Sequence, residues 1–168
     1  MNFREIFLNP GDFYFGEGDT RLSTLLGSCV SITLWHPLLR HGGMCHYVLD
    51  SRGVILDELD GKYADEAIEM FMQALATRKT HPAEYEVKIF GGGRMFADEN
   101  GNPAGFDVGS RNVEAADRLL DRYGFRTIKA RNVGGRGHRR LLFDLWSGDA
   151  WLKFQPAETE AVRRTPGE

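Results

Sequence analysis

The feature that most limits how this chain can fold is its series of short β-forming apolar runs set among glycine pairs and triplets. Such runs lie at 30–35, 44–49, 86–90, 126–130, 139–145 and 150–154. Each is bounded by Gly, Pro, Asp or Asn and is shorter than an ordinary helix, so each reads as a strand. Gly42-Gly43, Gly91-Gly92-Gly93 and Gly134-Gly135 sit beside these runs and predict tight loops. Trp146-Ser147-Gly148-Asp149 joins the last two runs and has the composition of a hairpin loop.

Two segments show helical spacing instead. From position 63 onward, Ala64, Ala67, Ile68, Phe71, Met72, Leu75 and Ala76 recur three and four apart, with Asp60 and Gly61 ahead of them as candidate caps. Over 112–123, Val113, Ala116, Leu119 and Leu120 share a face, and Gly124 supplies a stop. Strands outnumber helices and do not alternate with them. The expected class is α+β: a β-sandwich or mixed sheets flanked by two main helices. A chain of 168 residues, 42% apolar, suits a single domain with one ordinary core. That domain is expected over 1–155, with a polar tail over 156–168.

Charge and length remove several function classes. The formal charge is −3 at pH 7 with both signs interspersed, which argues against a nucleic-acid partner. No apolar run approaches the ~20 residues of a membrane span, so no membrane insertion is expected. Arg4 and Glu5 lie near the start with no apolar block after them, so no secretory signal is read and the cytoplasm is the expected setting. Gly91-Gly92-Gly93 is not followed by Gly-Lys-Ser/Thr, and no nucleotide loop is expected. The aromatic cluster Phe13-Tyr14-Phe15 is expected in the core, with a partner-docking patch as the alternative.

The chain has two cysteines, Cys29 and Cys45. A cytoplasmic domain of this size needs no disulfide. A catalytic zinc on Cys29, Cys45 and His46 would have enough ligands, but the spacing fits no common pattern; neither metal nor cofactor is expected. Cys29 follows Gly27-Ser28, small residues that let the backbone turn tightly around a bound carbonyl. The amides near Gly27 and Ser28 are candidate oxyanion donors. His46 lies in Gly42-Gly43-Met44-Cys45-His46-Tyr47. If the runs at 30–35 and 44–49 are neighbouring strands, thiol and imidazole can meet as nucleophile and base. A buried cysteine is often only a small apolar filler and a strand histidine only a satisfied polar neighbour. Cys45, next to His46, would point to the opposite face and read as core.

Ser23-Thr24-Leu25-Leu26-Gly27-Ser28-Cys29-Val30, then His36-Pro37, then Gly42-Gly43-Met44-Cys45-His46 resembles the chemoreceptor glutamine deamidase family, CheD. Asn9-Pro10-Gly11-Asp12 is similar as well, as are Lys88-Ile89-Phe90-Gly91-Gly92-Gly93 and Val108-Gly109-Ser110-Arg111-Asn112-Val113. Gly134-Gly135, Gly137, Arg139, Arg140, Phe143 and Gly148 extend the likeness to about position 154. Asp50 departs from it, where the family often has proline. The resemblance implies a β-sandwich flanked by helices and a Cys–His pair, matched here by Cys29 and His46. It implies a third, hydroxyl-bearing residue, Thr six positions before the cysteine in some members. That position is Ser23 here, with Thr24 as the alternative. The implied activity is hydrolytic deamidation of glutamine on chemoreceptor cytoplasmic helices, with hydrolysis of glutamyl methyl esters as a second activity open to the same pocket. A CheC-type phosphatase is the implied partner. The rival readings are a receptor- or CheC-binding adaptor with weak or no catalysis, and a different cysteine hydrolase such as a thioesterase or peptidase.

Overall fold

A computed structural model describes residues 1–95 and 107–157. Nine strands and two long helices follow in the order β1 (Arg4–Phe7), β2 (Phe13–Glu17), β3 (Thr20–Leu26), β4 (Val30–His36), β5 (His41–Cys45), α1 (Ala64–Thr77), β6 (Glu86–Gly91), α2 (Val108–Arg122), β7 (Thr127–Val133), β8 (Gly137–Asp144) and β9 (Ala150–Pro156). One sheet has the order β1-β3-β8-β9 and the other β2-β5-β4-β6-β7. Both are mixed, because β1 pairs with β3 and β6 with β7 in parallel while the other pairs are antiparallel. The α+β expectation holds, with two helices beside two mixed sheets.

The layers follow from the pleat. Alternate residues of β4 point to opposite faces, and both faces are covered. Val30, Ile32 and Leu34 join Val87, Ile89, Phe71, Leu75, Ala116 and Leu120 in a core between the five-stranded sheet and the two helices. On the other face Trp35 joins Met44, Phe90, Leu22, Leu26, Leu141 and Phe143 between the two sheets. Each fully buried Val, Leu, Ile, Phe or Met among them contributes about 1.5–3 kcal/mol relative to exposure. Among the described residues no helix covers the outer face of the four-stranded sheet, and Phe7, Leu25 and Trp151 are exposed there. Among the described residues no helix is long and apolar enough to cross a membrane.

Several expected boundaries move. β5 includes Gly42 and Gly43, which were expected to form a loop. A Cβ at Gly42 would stand 2.0 Å from the Leu34 carbonyl oxygen, and one at Gly43 would stand 2.4 Å from that of Tyr14. These glycines let three backbones pack closely; they do not mark a turn. The strand expected to reach Leu49 ends at Cys45, and beyond it Tyr47 forms a single bridge to Val30. Asp60 and Gly61 do not cap α1, which begins after Tyr63 without a side-chain cap. The Asp60 amide instead donates to buried Glu66 Oε1 at 3.1 Å, and Arg52 pairs with the same oxygen at 2.6 Å. α2 starts four residues earlier than its apolar spacing suggests, because the Asp107 side chain accepts from the Ser110 amide. Its stop is as expected: Gly124 has φ +88°. Strands β1, β2 and β3 were not anticipated. Phe13 and Phe15 do enter the core, Phe13 packing edge-on against Phe71 at 4.8 Å. The expected boundary at 155/156 falls inside β9, and 158–168 of the expected tail lie outside the described residues.

Candidate active site

Cys29 lies one residue before β4, at the end of the Gly27-Ser28 turn that leaves β3. His46 lies one residue beyond β5. Val30 and Tyr47 exchange both backbone hydrogen bonds, at 3.1 and 3.0 Å, continuing the register that sets Thr33 opposite Met44. This register puts Ser31 directly across from His46 and makes Cys29 and His46 diagonal neighbours on one face. Diagonal residues of an antiparallel pair are about 7–8 Å apart, within reach of long side chains. That face is the one between the sheets, where Cys29 packs against the core containing Leu26, Met44 and Phe90. Cys29 as a residue is only partly buried, unlike Cys45.

The other sheet supplies the hydroxyl. Thr24 Oγ1 lies 2.7 Å from His46 Nδ1 and donates to the Leu8 carbonyl at 2.7 Å. A hydroxyl has one proton to give. Since that proton goes to Leu8, Thr24 accepts, and Nδ1 carries the imidazole proton. The lone pair of the neutral ring is thereby placed on Nε2, which is buried and has no hydrogen-bond partner among the described residues. Thiol and imidazole share the face without a hydrogen bond between them. Catalytic hydrogen bonds are often open in a free enzyme and tighten with substrate.

The family resemblance favoured Ser23 with Thr24 as the alternative, and it is the Thr24 hydroxyl that meets His46. On β3, Leu22, Thr24 and Leu26 face inward. Ser23, of the opposite parity, sits with exposed Leu25 on the outer side, by a groove that Glu5, Phe7, Arg140 and Thr24 also line. Two adjacent residues of one strand cannot both face the imidazole. Cys45 likewise turns away from His46 into the helix-facing core, so Cys29, Cys45 and His46 do not converge as metal ligands. Its thiol is pushed up to about 12 by complete burial, which leaves it inert at neutral pH.

Burial pushes the Cys29 thiol above its ordinary value, with its own amide pulling slightly the other way. Burial also pushes His46 below its ordinary value, against the Leu8 carbonyl and Asp12. Both shifts favour the uncharged form of each group.

Sequence reasoning missed the parts that hold this arrangement. The Gly11 amide donates to the His46 carbonyl at 2.8 Å, so the Asn9–Asp12 turn buttresses the base. The carbonyls of Gly27 and Cys29 accept from Gly93 and Gly92 at 2.9 Å each, and that of Ser28 from Asn112 Nδ2 at 3.0 Å. The residue signal was present, since these glycines and Asn112 sit in the runs that carry the family resemblance. Their partners, however, are distant in sequence.

A family model described as "CheD chemotactic sensory transduction" matches residues 52–154, more than half of the chain. A probable chemoreceptor glutamine deamidase, CheD 3, of Dechloromonas aromatica is 48% identical over 164 residues, 97% of this chain and 95% of that protein. Its counterpart in Pseudomonas syringae pv. tomato is 45% identical over 154 residues, 92% of this chain and 91% of that protein. A further counterpart, CheD 1 of Leptospira interrogans, is 38% identical and covers 89% of this chain and 92% of its own length. The family-model match starts downstream of Cys29 and His46, whereas the alignment covering 97% of the chain leaves too few residues unmatched to exclude either.

Proposed function

The chain belongs to the CheD family, and from that premise we propose that it hydrolyses the side-chain amide of chemoreceptor glutamines to glutamate through a thioester on Cys29. The observation that carries the reading is the Thr24–His46 hydrogen bond, which frees Nε2 on the face that Cys29 shares.

The Cys29 thiol passes its proton to His46 Nε2 as sulfur bonds to the carboxamide carbon. The carbonyl electron pair moves to oxygen, where backbone amides receive it. Each trans peptide points its C=O and N–H in opposite directions. With the Gly27 and Ser28 carbonyls tied back, the Ser28 and Cys29 amides face the other way, and neither donates to a backbone carbonyl among the described residues. These two amides supply the oxyanion site. The Gly27 amide, in the peptide that follows Leu26 at the end of β3, stays a candidate beside them. The imidazolium then gives its proton to the nitrogen, the C–N bond breaks, ammonia leaves and the thioester remains. Water adds to the thioester while Nε2 takes its proton. The C–S bond breaks, and that proton returns to sulfur. The sum is amide plus water to carboxylic acid plus ammonia. A glutamyl methyl ester meets the same groups and loses methanol in place of ammonia.

Each turnover places a carboxylate on a receptor helix in place of a neutral amide. Like charges three or four residues apart repel, so the receptor's signalling balance shifts. We place this reaction on cytoplasmic receptor helices and, by family resemblance, a CheC-type phosphatase as the partner. The test is to incubate the protein with a receptor cytoplasmic fragment and measure ammonia and the mass gain at glutamine. Wild type is expected to release one ammonia per glutamine converted, and Cys29→Ala none. Tight fragment binding without conversion by wild type would favour the adaptor instead.

A further inference from the structure

The α2 side chain Asn112 is fully buried and makes two hydrogen bonds that join separate halves of the site. Its Nδ2 donates to the Ser28 carbonyl at 3.0 Å and to the Val48 carbonyl at 2.8 Å. Ser28 precedes the nucleophile, and Val48 stands across from Cys29, two residues beyond His46. The backbone carbonyl of Asn112 accepts from Tyr47 at 2.5 Å, so α2 grips the base segment a second time. The first turn of α2 is brought this close by Gly109, where a Cβ would stand 2.4 Å from the Gly92 carbonyl oxygen.

We propose that Asn112 is a positioning residue for the deamidation: by holding the Ser28 carbonyl it aims the Cys29 amide at the oxyanion, and by holding Val48 it fixes His46 relative to the thiol. This rests on the Cys–His reading above. The peptide geometry is the reason. Ser28 C=O and Cys29 N–H belong to one planar trans unit, so a donor that fixes the first fixes the direction of the second. Gly93 and Gly92 hold the flanking carbonyls through main-chain amides that no side-chain change can remove. Asn112 is the one side chain among the three clamps.

The experiment compares wild type, Asn112→Ala and Asn112→Ser, with Leu120→Ala as a destabilised control on the same helix. Rates are normalised to folded protein by near-UV circular dichroism. Removing the aim of one oxyanion donor is expected to lower kcat by about 100-fold, with KM within about twofold. Asn112→Ser keeps a donor too short to span both carbonyls and should fall between Asn112→Ala and wild type. Leu120→Ala should melt earlier yet keep kcat. A second readout needs no substrate: the pH profile of iodoacetamide alkylation at Cys29, read by peptide mass spectrometry. Its midpoint should move to higher pH in both Asn112 variants and stay in place in Leu120→Ala. An Asn112→Ala protein with wild-type kcat and an unmoved alkylation midpoint would overturn the proposal. Should wild type itself fail to deamidate, the functional reading fails, and the alkylation profile alone decides the role of Asn112. Should Asn112→Ala not fold, the Asn112→Ser profile decides it.

Discussion

Replacing Thr24 by valine keeps the shape of the side chain and removes only the hydroxyl, which makes it the sharpest probe of the site. In the folded protein that hydroxyl serves His46 Nδ1 and the Leu8 carbonyl, both at 2.7 Å. Two buried polar groups lose a partner, at a cost of about 1–3 kcal/mol each when left unpaired. The Leu8 carbonyl lies near enough to act on the His46 ring, so the two orphans can partly satisfy each other. The net loss should then be about 2 kcal/mol, or a fall in Tm of roughly 4–8 °C for a chain of this size. The effect on rate is separate. The ring becomes charged in the transition state, and a hydrogen bond to a charged group is worth about 1.5–3 kcal/mol. Deamidation should slow by roughly 10- to 150-fold, while Thr24→Ser stays close to wild type. Ser23→Ala, on the outer groove, should stay within about twofold. The assay is ammonia release from a receptor cytoplasmic fragment, with melting curves on each variant. Full activity in Thr24→Val together with a tenfold loss in Ser23→Ala would refute the reasoning and restore Ser23 as the third residue.

Titration and packing give further tests. His46 must be neutral to accept the thiol proton, and burial lowers its pKa below the ordinary 6.5, so activity should persist at pH 6.5 and fall only at lower pH. Stability follows the same sign: the unfolded chain binds the His46 proton first, so this residue's contribution is present above pH 6.5 and is lost as pH falls through the lower folded value. Urea midpoints of wild type and His46→Ala across pH 5–7 would check this, and a wild-type midpoint that rises relative to the variant on acidification would contradict it. Gly42→Ala should yield a chain that fails to fold or melts far below wild type, because its Cβ would stand 2.0 Å from the Leu34 carbonyl oxygen in the middle of a paired strand; a wild-type melting curve for that variant would show the β5 packing to be wrong.

What the sequence determined by itself is local. Ala64, Ala67, Ile68, Phe71 and Leu75 mark α1 because residues three and four apart share a face whatever surrounds them. The apolar runs of β4, β6, β8 and β9 mark strands because both faces of each segment, or one, must be covered. The residue types of the nucleophile and base were legible too, since Cys29 and His46 sit in runs distinctive enough to show the family likeness. What only tertiary structure decided is pairing and direction. Leu25 is 54% exposed on the bare outer sheet face, so β3 never shows the polar-out alternation that would have revealed it as a strand and put Thr24 on the inward side. Gly42 and Gly43 look like a turn until β2 and β4 close on either side of them. Asn112 reads as one polar residue on an amphipathic helix until the carbonyls of Ser28 and Val48 arrive from strands far away in the chain. Periodicity records which residues share a face. It does not record which other segment that face will meet, because that choice is made by contacts between residues distant in sequence when the sheets pair and stack.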